Sequence, residues 1–262
     1  MIARRLGCFA VCVWVAVGAS PTAAVAFSFS VNPTRIELAV PAGKQRGKAV
    51  RLDNTRSDTS VHIKVYVQDV LFLPDGTGNF PAPGTTDWSC ASWIQVVPQE
   101  LDIPPGQSQQ VRLSVAVPSG TLGGHYAMVF FESSPSYVER GVGVNFRIGS
   151  LVQVTVPGTE VYQAKLADFL VDGSKARLHL FNDGNLLIRP QGKIKVFSLD
   201  GRQQKKVAQL PFNPTGLGVL PKTLRVFTVP LDTLPIGQYH LRAEIDYGTR
   251  YLLVGERDVE RK

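Results

Sequence analysis

The sequence predicts an all-β chain of two antiparallel β-sandwiches in tandem behind an export leader. Three observations predict it: short runs in which apolar and β-branched residues alternate, turn residues between those runs, and an order of segments that occurs twice.

The leader comes first. Arg4 and Arg5 precede an apolar run from Leu6 to Val17, and small residues follow at Ala24-Val25-Ala26. This is the build of a secretory signal peptide with an A-x-A cleavage site, so residues 1–26 are expected to be removed and the mature chain to start at Phe27. The apolar run is shorter than the roughly 20 residues of a membrane span. Neither Cys8 nor Cys12 lies at the cleavage point, so a lipid anchor is unsupported. A soluble mature protein in the periplasm is expected.

Removing the leader leaves 236 residues, enough for two sandwiches of about 100 residues each. Cys90 is then the sole cysteine and cannot form an internal disulfide, so stability must come from burial. Between Trp88 and Trp93, it is expected to act as a small apolar residue. Twenty-eight basic and 21 acidic residues give a net charge of +7, which loss of Arg4 and Arg5 lowers to +5. No basic run exceeds Lys205-Lys206, so a nucleic-acid partner is not expected.

Strands are expected around Ala49–Leu52, Val61–Val67, Val111–Val117 and Leu151–Val156, each alternating with a period of two. Pro98, Pro104-Pro105-Gly106, Pro118-Ser119-Gly120, Asn182-Asp183-Gly184 and Asp200-Gly201 supply the turns. The run Ile103-Pro104-Pro105-Gly106, Val111 to Pro118, Leu122 and Gly124-His125-Tyr126 is repeated as Val219-Leu220-Pro221-Lys222, Leu224 to Pro230, Leu234 and Gly237-Gln238-Tyr239. One topology is therefore expected twice, with domains over 27–157 and 158–262 meeting near Pro157-Gly158.

Tyr126 and Tyr239 each follow a glycine by two residues and open an apolar strand. That placement matches the tyrosine corner of immunoglobulin-like sandwiches, in which the hydroxyl returns to nearby backbone. Asn54 and Asn182 are expected to cap their own turns.

No catalytic residues are identified. The four histidines lack metal-ligand spacing, Gly-x-Ser-x-Gly and phosphate-loop motifs are absent, and the carboxylates are scattered. The sequence thus predicts neither an enzyme, a cofactor nor a metal site. One stretch has binding potential: Val142, Val144, Phe146 and Ile148 alternate ahead of Leu151 to Val156, behind the polar loop Ser133-Ser134-Pro135-Ser136. They are expected to share one face of a long strand, either as core or as an edge offered to another polypeptide by strand complementation.

Val31-Asn32-Pro33-Thr34-Arg35-Ile36-Glu37-Leu38, the Leu52-Asp53-Asn54 turn, Trp93-Ile94, Val97-Pro98, Ile103-Pro104-Pro105-Gly106 with Val111-Arg112-Leu113, and the strand from Val142 resemble the periplasmic pilus-assembly chaperones. The likeness covers residues 29 to 157. Beyond them it extends only to the domain type and the Ile245-Asp246-Tyr247-Gly248 ending. It implies two immunoglobulin-like domains and a pilus or other secreted subunit as partner. It also implies a first-strand arginine, here Arg35, that holds the subunit's terminal carboxylate, while Val142, Val144, Phe146 and Ile148 complete its sheet. A planar guanidinium suits such a carboxylate. The family's lysine has no counterpart in Arg147-Ile148-Gly149-Ser150-Leu151, which leaves either Arg147 as its replacement or the second anchor missing. Leu122-Gly123-Gly124-His125-Tyr126 and the Pro33 start are also similar to domains of cell-wall-associated surface proteins, which would bind peptidoglycan or an envelope partner. Self-association through an edge strand stays open.

Overall fold

In a computed structural model of the chain, the described residues are 29–134, 145–199 and 205–261, with backbone alone at 138–139 and 142–143. The expected leader, 1–26, lies outside them.

The first sandwich stacks two sheets. One runs in the order β1 (Phe29–Asn32), β3 (Gln45–Asn54), β9 (Ser108–Ala116) and β7 (Ile94–Val97). The other runs β2 (Arg35–Ala39), β13 (Arg147–Thr155), β10 (Gly124–Ser133), β4 (Val61–Gln68) and β8 (Glu100–Ile103). Two small hairpins accompany them, β5 (Leu71–Phe72) with β6 (Gly78–Asn79) and β11 (Val138–Glu139) with β12 (Val142–Gly143). Alternation decides which side chains turn inward. In β9, Val111, Leu113 and Val115 are buried while Arg112 and Ala116 are exposed. Phe29, Ile36, Leu52, Ile63, Ile103, Leu113 and Phe131 are fully buried between the sheets, each contributing about 1.5–3 kcal/mol of burial.

The second sandwich repeats the scheme with β14 (Ala164–Asp172), β15 (Lys175–Asn182) and β18 (Leu224–Pro230) facing β17 (Lys205–Phe212), β16 (Gln191–Ser198), β19 (Gly237–Asp246) and β20 (Leu253–Arg261). The strand trio β4-β10-β13 of the first sandwich corresponds to β16-β19-β20 of the second, as the internal repeat requires. Asn54 and Asn182 cap as expected. Each amide oxygen accepts from a backbone N–H two residues on, and each Nδ2 donates to backbone carbonyls. Cys90 is fully buried and free, and burial pushes its thiol well above the ordinary range.

Between β4 and β7 lies a long excursion organised by the buried carboxylate of Asp69. It accepts from the N–H groups of Gly84 and Thr86 and from the hydroxyls of Thr86 and Ser89. Four donors offset the cost of burying the charge. The excursion carries Phe72, Phe80 and Trp88 to the second sandwich, where they pack with Val70, Tyr126, Leu187 and Leu220.

Two expectations need correction. The ladder of β13 begins at Arg147 rather than Val142, and Val142-Gly143 pairs with Val138-Glu139 instead. Gly141 and Gly143 flank Val142, and glycine brings no side chain to a ladder. The Tyr239 hydroxyl does return to Pro235 O at 3.0 Å, but the Tyr126 oxygen accepts the N–H of Leu187, across the junction in the second sandwich. The partner that Tyr126 finds is therefore set by the neighbouring sandwich and not by its own turn.

Candidate functional site

The site is built where the first strand of the chain changes sheets. β1 pairs with β3, but after Pro33 the chain crosses over, and β2 runs parallel to β13 with Arg35 opposite Leu151 and Ala39 opposite Thr155. Pro33 has no N–H to satisfy at the crossing, its carbonyl accepts from Ser150 Oγ at 2.8 Å, and Thr34 O accepts from Leu151 N. Coverage of β13 by β2 thus stops at Leu151. Arg147 to Ser150 pair with β10 on one side, and among the described strands none pairs with their other edge. Unpaired N–H and C=O groups on such an edge are a template for another strand.

Arg35 stands where that open edge begins. It is exposed, on the outward face of β2 that also carries Glu37. Phe146 and Ile148 are half-buried and pack against the first core, so they share a face, as expected, but only part of each is accessible. Of Val142 the backbone alone is described, and Val144 lies outside the described residues. Arg147 is exposed, with its guanidinium 4.4 Å from the centre of the Phe130 ring and its Cα opposite Glu132. It lies four positions before Leu151, about 13 Å along a strand, so it does not stand beside Arg35.

On the other side of Arg35 a cleft opens between the sandwiches, with a volume of about 430 Å³. Glu37, Gln153, Thr155, Tyr162, Leu187 and Arg189 are among its lining residues. The junction behind it is knit by backbone: Gly124 N donates to Asn185 O at 2.8 Å and Val226 N to Pro74 O at 2.7 Å. Arg189, which precedes Pro190 in the segment between β15 and β16, reaches back to the first sandwich. Its Nη2 donates to Gln153 Oε1 at 3.0 Å and lies 3.7 Å from Glu37 Oε1. Burial, and next the charge of Arg35, push the Arg189 guanidinium below its ordinary value, while Glu37 opposes the shift. Burial also raises the Tyr126 phenol to about 12.

Arg189 and Gln153 escape a reading of the sequence. They lie 36 residues apart on different sandwiches, and no motif links them. The only signal is the alternation of β13, which puts Gln153 on the same outward face as Leu151.

A scan against protein-family models and a search of curated proteins find no match to the chain. Among solved structures, the chain is similar to the class 5 fimbriae chaperone CfaA, 15% identical over 87% of this chain and 98% of that one, with a TM-score of 0.51. It is also similar to a chain of the chaperone–tip adhesin complex of CFA/I fimbriae biogenesis, 14% identical over the same shares, with a TM-score of 0.50. At these identities the likeness establishes the common fold: two all-β sandwiches in one chain.

Proposed function

We propose that the mature chain is a periplasmic chaperone that binds a fimbrial or other secreted subunit by strand complementation and assists its assembly, without catalysing a reaction. Export follows from the leader over 1–26, and the domains divide near Pro157-Gly158. The observation that carries the reading is the open edge of β13 from Arg147 to Ser150, which ends beside Arg35. A strand laid on that edge runs its terminus toward a guanidinium, and an extended polypeptide ending in a carboxylate fits both features. The solved structures that share this fold include a chaperone with a tip adhesin, which supports the same class of partner. Arg35 holds the subunit's carboxylate, and Phe146 and Ile148, with Val142 and Val144 upstream, offer apolar surface to its open sheet.

The test is to recover the mature protein from its own periplasm under mild conditions and identify by mass spectrometry what accompanies it. A polypeptide in fixed stoichiometry, released by Arg35→Ala in a protein that still folds, is the expected result. Recovery alone as a monomer, or bound to peptidoglycan, overturns the reading in favour of a passive envelope module.

A further inference from the structure

The crossover at Pro33 leaves two strands half-covered, one in each sheet. β1 pairs with β3 only from Arg51 to Asn54 before the chain moves to β2. The first half of β3, from Gln45 to Ala49, therefore has β9 on one side and, among the described strands, none on the other. Asn54 N donates to Gln107 O, and Lys44 O accepts from Val117 N. Even-numbered residues of β3 thus turn their backbone groups to β9, and alternation turns those of Gln45, Gly47 and Ala49 to the bare side. Every residue from Lys44 to Ala49 is exposed.

The charges along this edge have one sign. Lys44, Arg46 and Lys48 occupy alternate positions, about 7 Å apart along the strand, and Arg112 stands across from Ala49 on the other face. Arg51 further along is neutralised by Asp53 at 2.6 Å. The Arg46 guanidinium donates to Ala39 O at 3.1 Å, but among the described residues none of these four cations meets a carboxylate. Like charges on an edge keep copies of one chain from pairing with each other, and the same charges select a strand of opposite sign, since unlike charges across a ladder attract. Bare backbone groups recognise another backbone, which a lipid headgroup does not offer. The occupant that satisfies both features is a polypeptide.

We propose that the Gln45–Ala49 edge of β3 is a docking site for an acidic, extended segment of a partner polypeptide, which adds to this sheet as a strand and sets its carboxylates against Lys44, Arg46 and Lys48. The site lies in the other sheet from the Arg147–Ser150 edge of β13. A second polypeptide is therefore held while the β13 edge is occupied, and the site does not depend on the client reading above.

The experiment titrates the mature full-length chain, at low ionic strength, with a labelled synthetic peptide alternating glutamate with threonine, read by fluorescence anisotropy. Saturable binding is expected, weakened by added salt and weakened about tenfold in a triple variant carrying Lys44→Gln, Arg46→Gln and Lys48→Gln, since three exposed pairs of modest strength together supply a factor of that size. Gly47→Pro keeps every charge and removes one N–H from the bare side, where an edge strand tolerates proline. It is expected to weaken the peptide about fivefold, the worth of one hydrogen bond, with the strand signal in circular dichroism retained. Unchanged affinity in the triple variant overturns the site. Unchanged affinity in a folded Gly47→Pro protein overturns strand addition, and binding to phosphatidylglycerol vesicles that the triple variant loses then assigns the cations to an anionic surface. Displacement of the acidic peptide by one alternating valine with threonine, made for the β13 edge, overturns a separate site. Failure of the wild-type chain to bind the peptide, with self-association of the triple variant in sedimentation, overturns docking and leaves the cations as guards against self-pairing.

Discussion

β13 and β20 close their sandwiches at equivalent places, yet their edges are built differently. β13 carries Ile148, Leu151, Val152 and Val154 and is covered by β2 only from Leu151 onward. β20 turns Glu256, Asp258 and Glu260 to the outside, where Glu256 meets Arg242 at 2.9 Å and Asp258 meets His240 at 2.6 Å. Charges along an edge oppose pairing with another chain, whereas a half-covered edge leaves backbone groups available for it. The tyrosines differ in the same sense. Tyr239 bonds within its own sandwich and Tyr126 bonds across to the other. One topology is thus used once as a closed module and once as a module open at an edge and fastened at a junction. A tandem repeat can keep its strand order while the residues at its rims decide what each copy does.

The largest break in that comparison is expected from Tyr239→Ala. Removing a buried aromatic ring and its bond to Pro235 should cost the second sandwich about 3–5 kcal/mol, seen as a lowered denaturation midpoint with hydrogen exchange rising in β16 and β19. Exchange in β4 and β10 should stay slow if the two sandwiches are independent cores. Gly124→Ala comes next. An added Cβ would collide with the Tyr126 phenol oxygen and stand 2.9 Å from Leu186 Cδ2, so about 1–3 kcal/mol should be lost at the junction rather than in either core. Small-angle scattering should record an enlarged radius of gyration while both sandwiches keep their strand signal in circular dichroism.

Tyr126→Phe keeps the ring and removes the acceptor for Leu187, at about 1 kcal/mol, read from faster exchange of the Leu187 amide. It should also change the response to alkali. The folded phenol titrates at about 12, above its ordinary 10. Its contribution is therefore complete below pH 10 and is lost as pH rises through 12. Wild-type stability should fall across that window more steeply than that of Tyr126→Phe. Parallel curves would show that Tyr126 is not the titrating pin.

The smallest effect concerns His125, whose ring lies 4.4 Å from that of Trp93. Burial lowers its ionisation below 6.5. The contribution of the neutral ring is thus present above pH 6.5 and lost as pH falls through the depressed value. Trp93 fluorescence should follow that loss on mild acidification in the wild type, and His125→Gln should flatten it.

Much of this was legible in the residues. The period-two alternation marked β4, β9 and β13, because a half-buried strand must place every second side chain in the core. Asn54 and Asn182 declared their turns, since an Asx side chain bonds locally whatever lies around it. Arg35 could be singled out because its neighbours formed a recognisable run. The start of β13 could not be placed. Alternation persists through Val142 and Val144, and only the pairing of Val138-Glu139 with Val142-Gly143 shows that the ladder is interrupted. Arg147 looked a fitting second cation by type and position along the chain. Its distance from Arg35 along the strand and its seat on Phe130 decide otherwise.

By itself the sequence determined the all-β class, the repeated topology and the local caps, because these depend on side chains within a few residues of one another and on a periodicity that any reader of the chain can count. Only the tertiary structure decided that Tyr126 would serve the junction, that β2 would begin at Arg35 and leave Arg147 to Ser150 unpaired on that side among the described strands, and that Arg189 would meet Gln153 in the cleft. Those outcomes depend on how two separately folded sandwiches dock. Contacts between groups far apart in the chain leave no periodic trace in it.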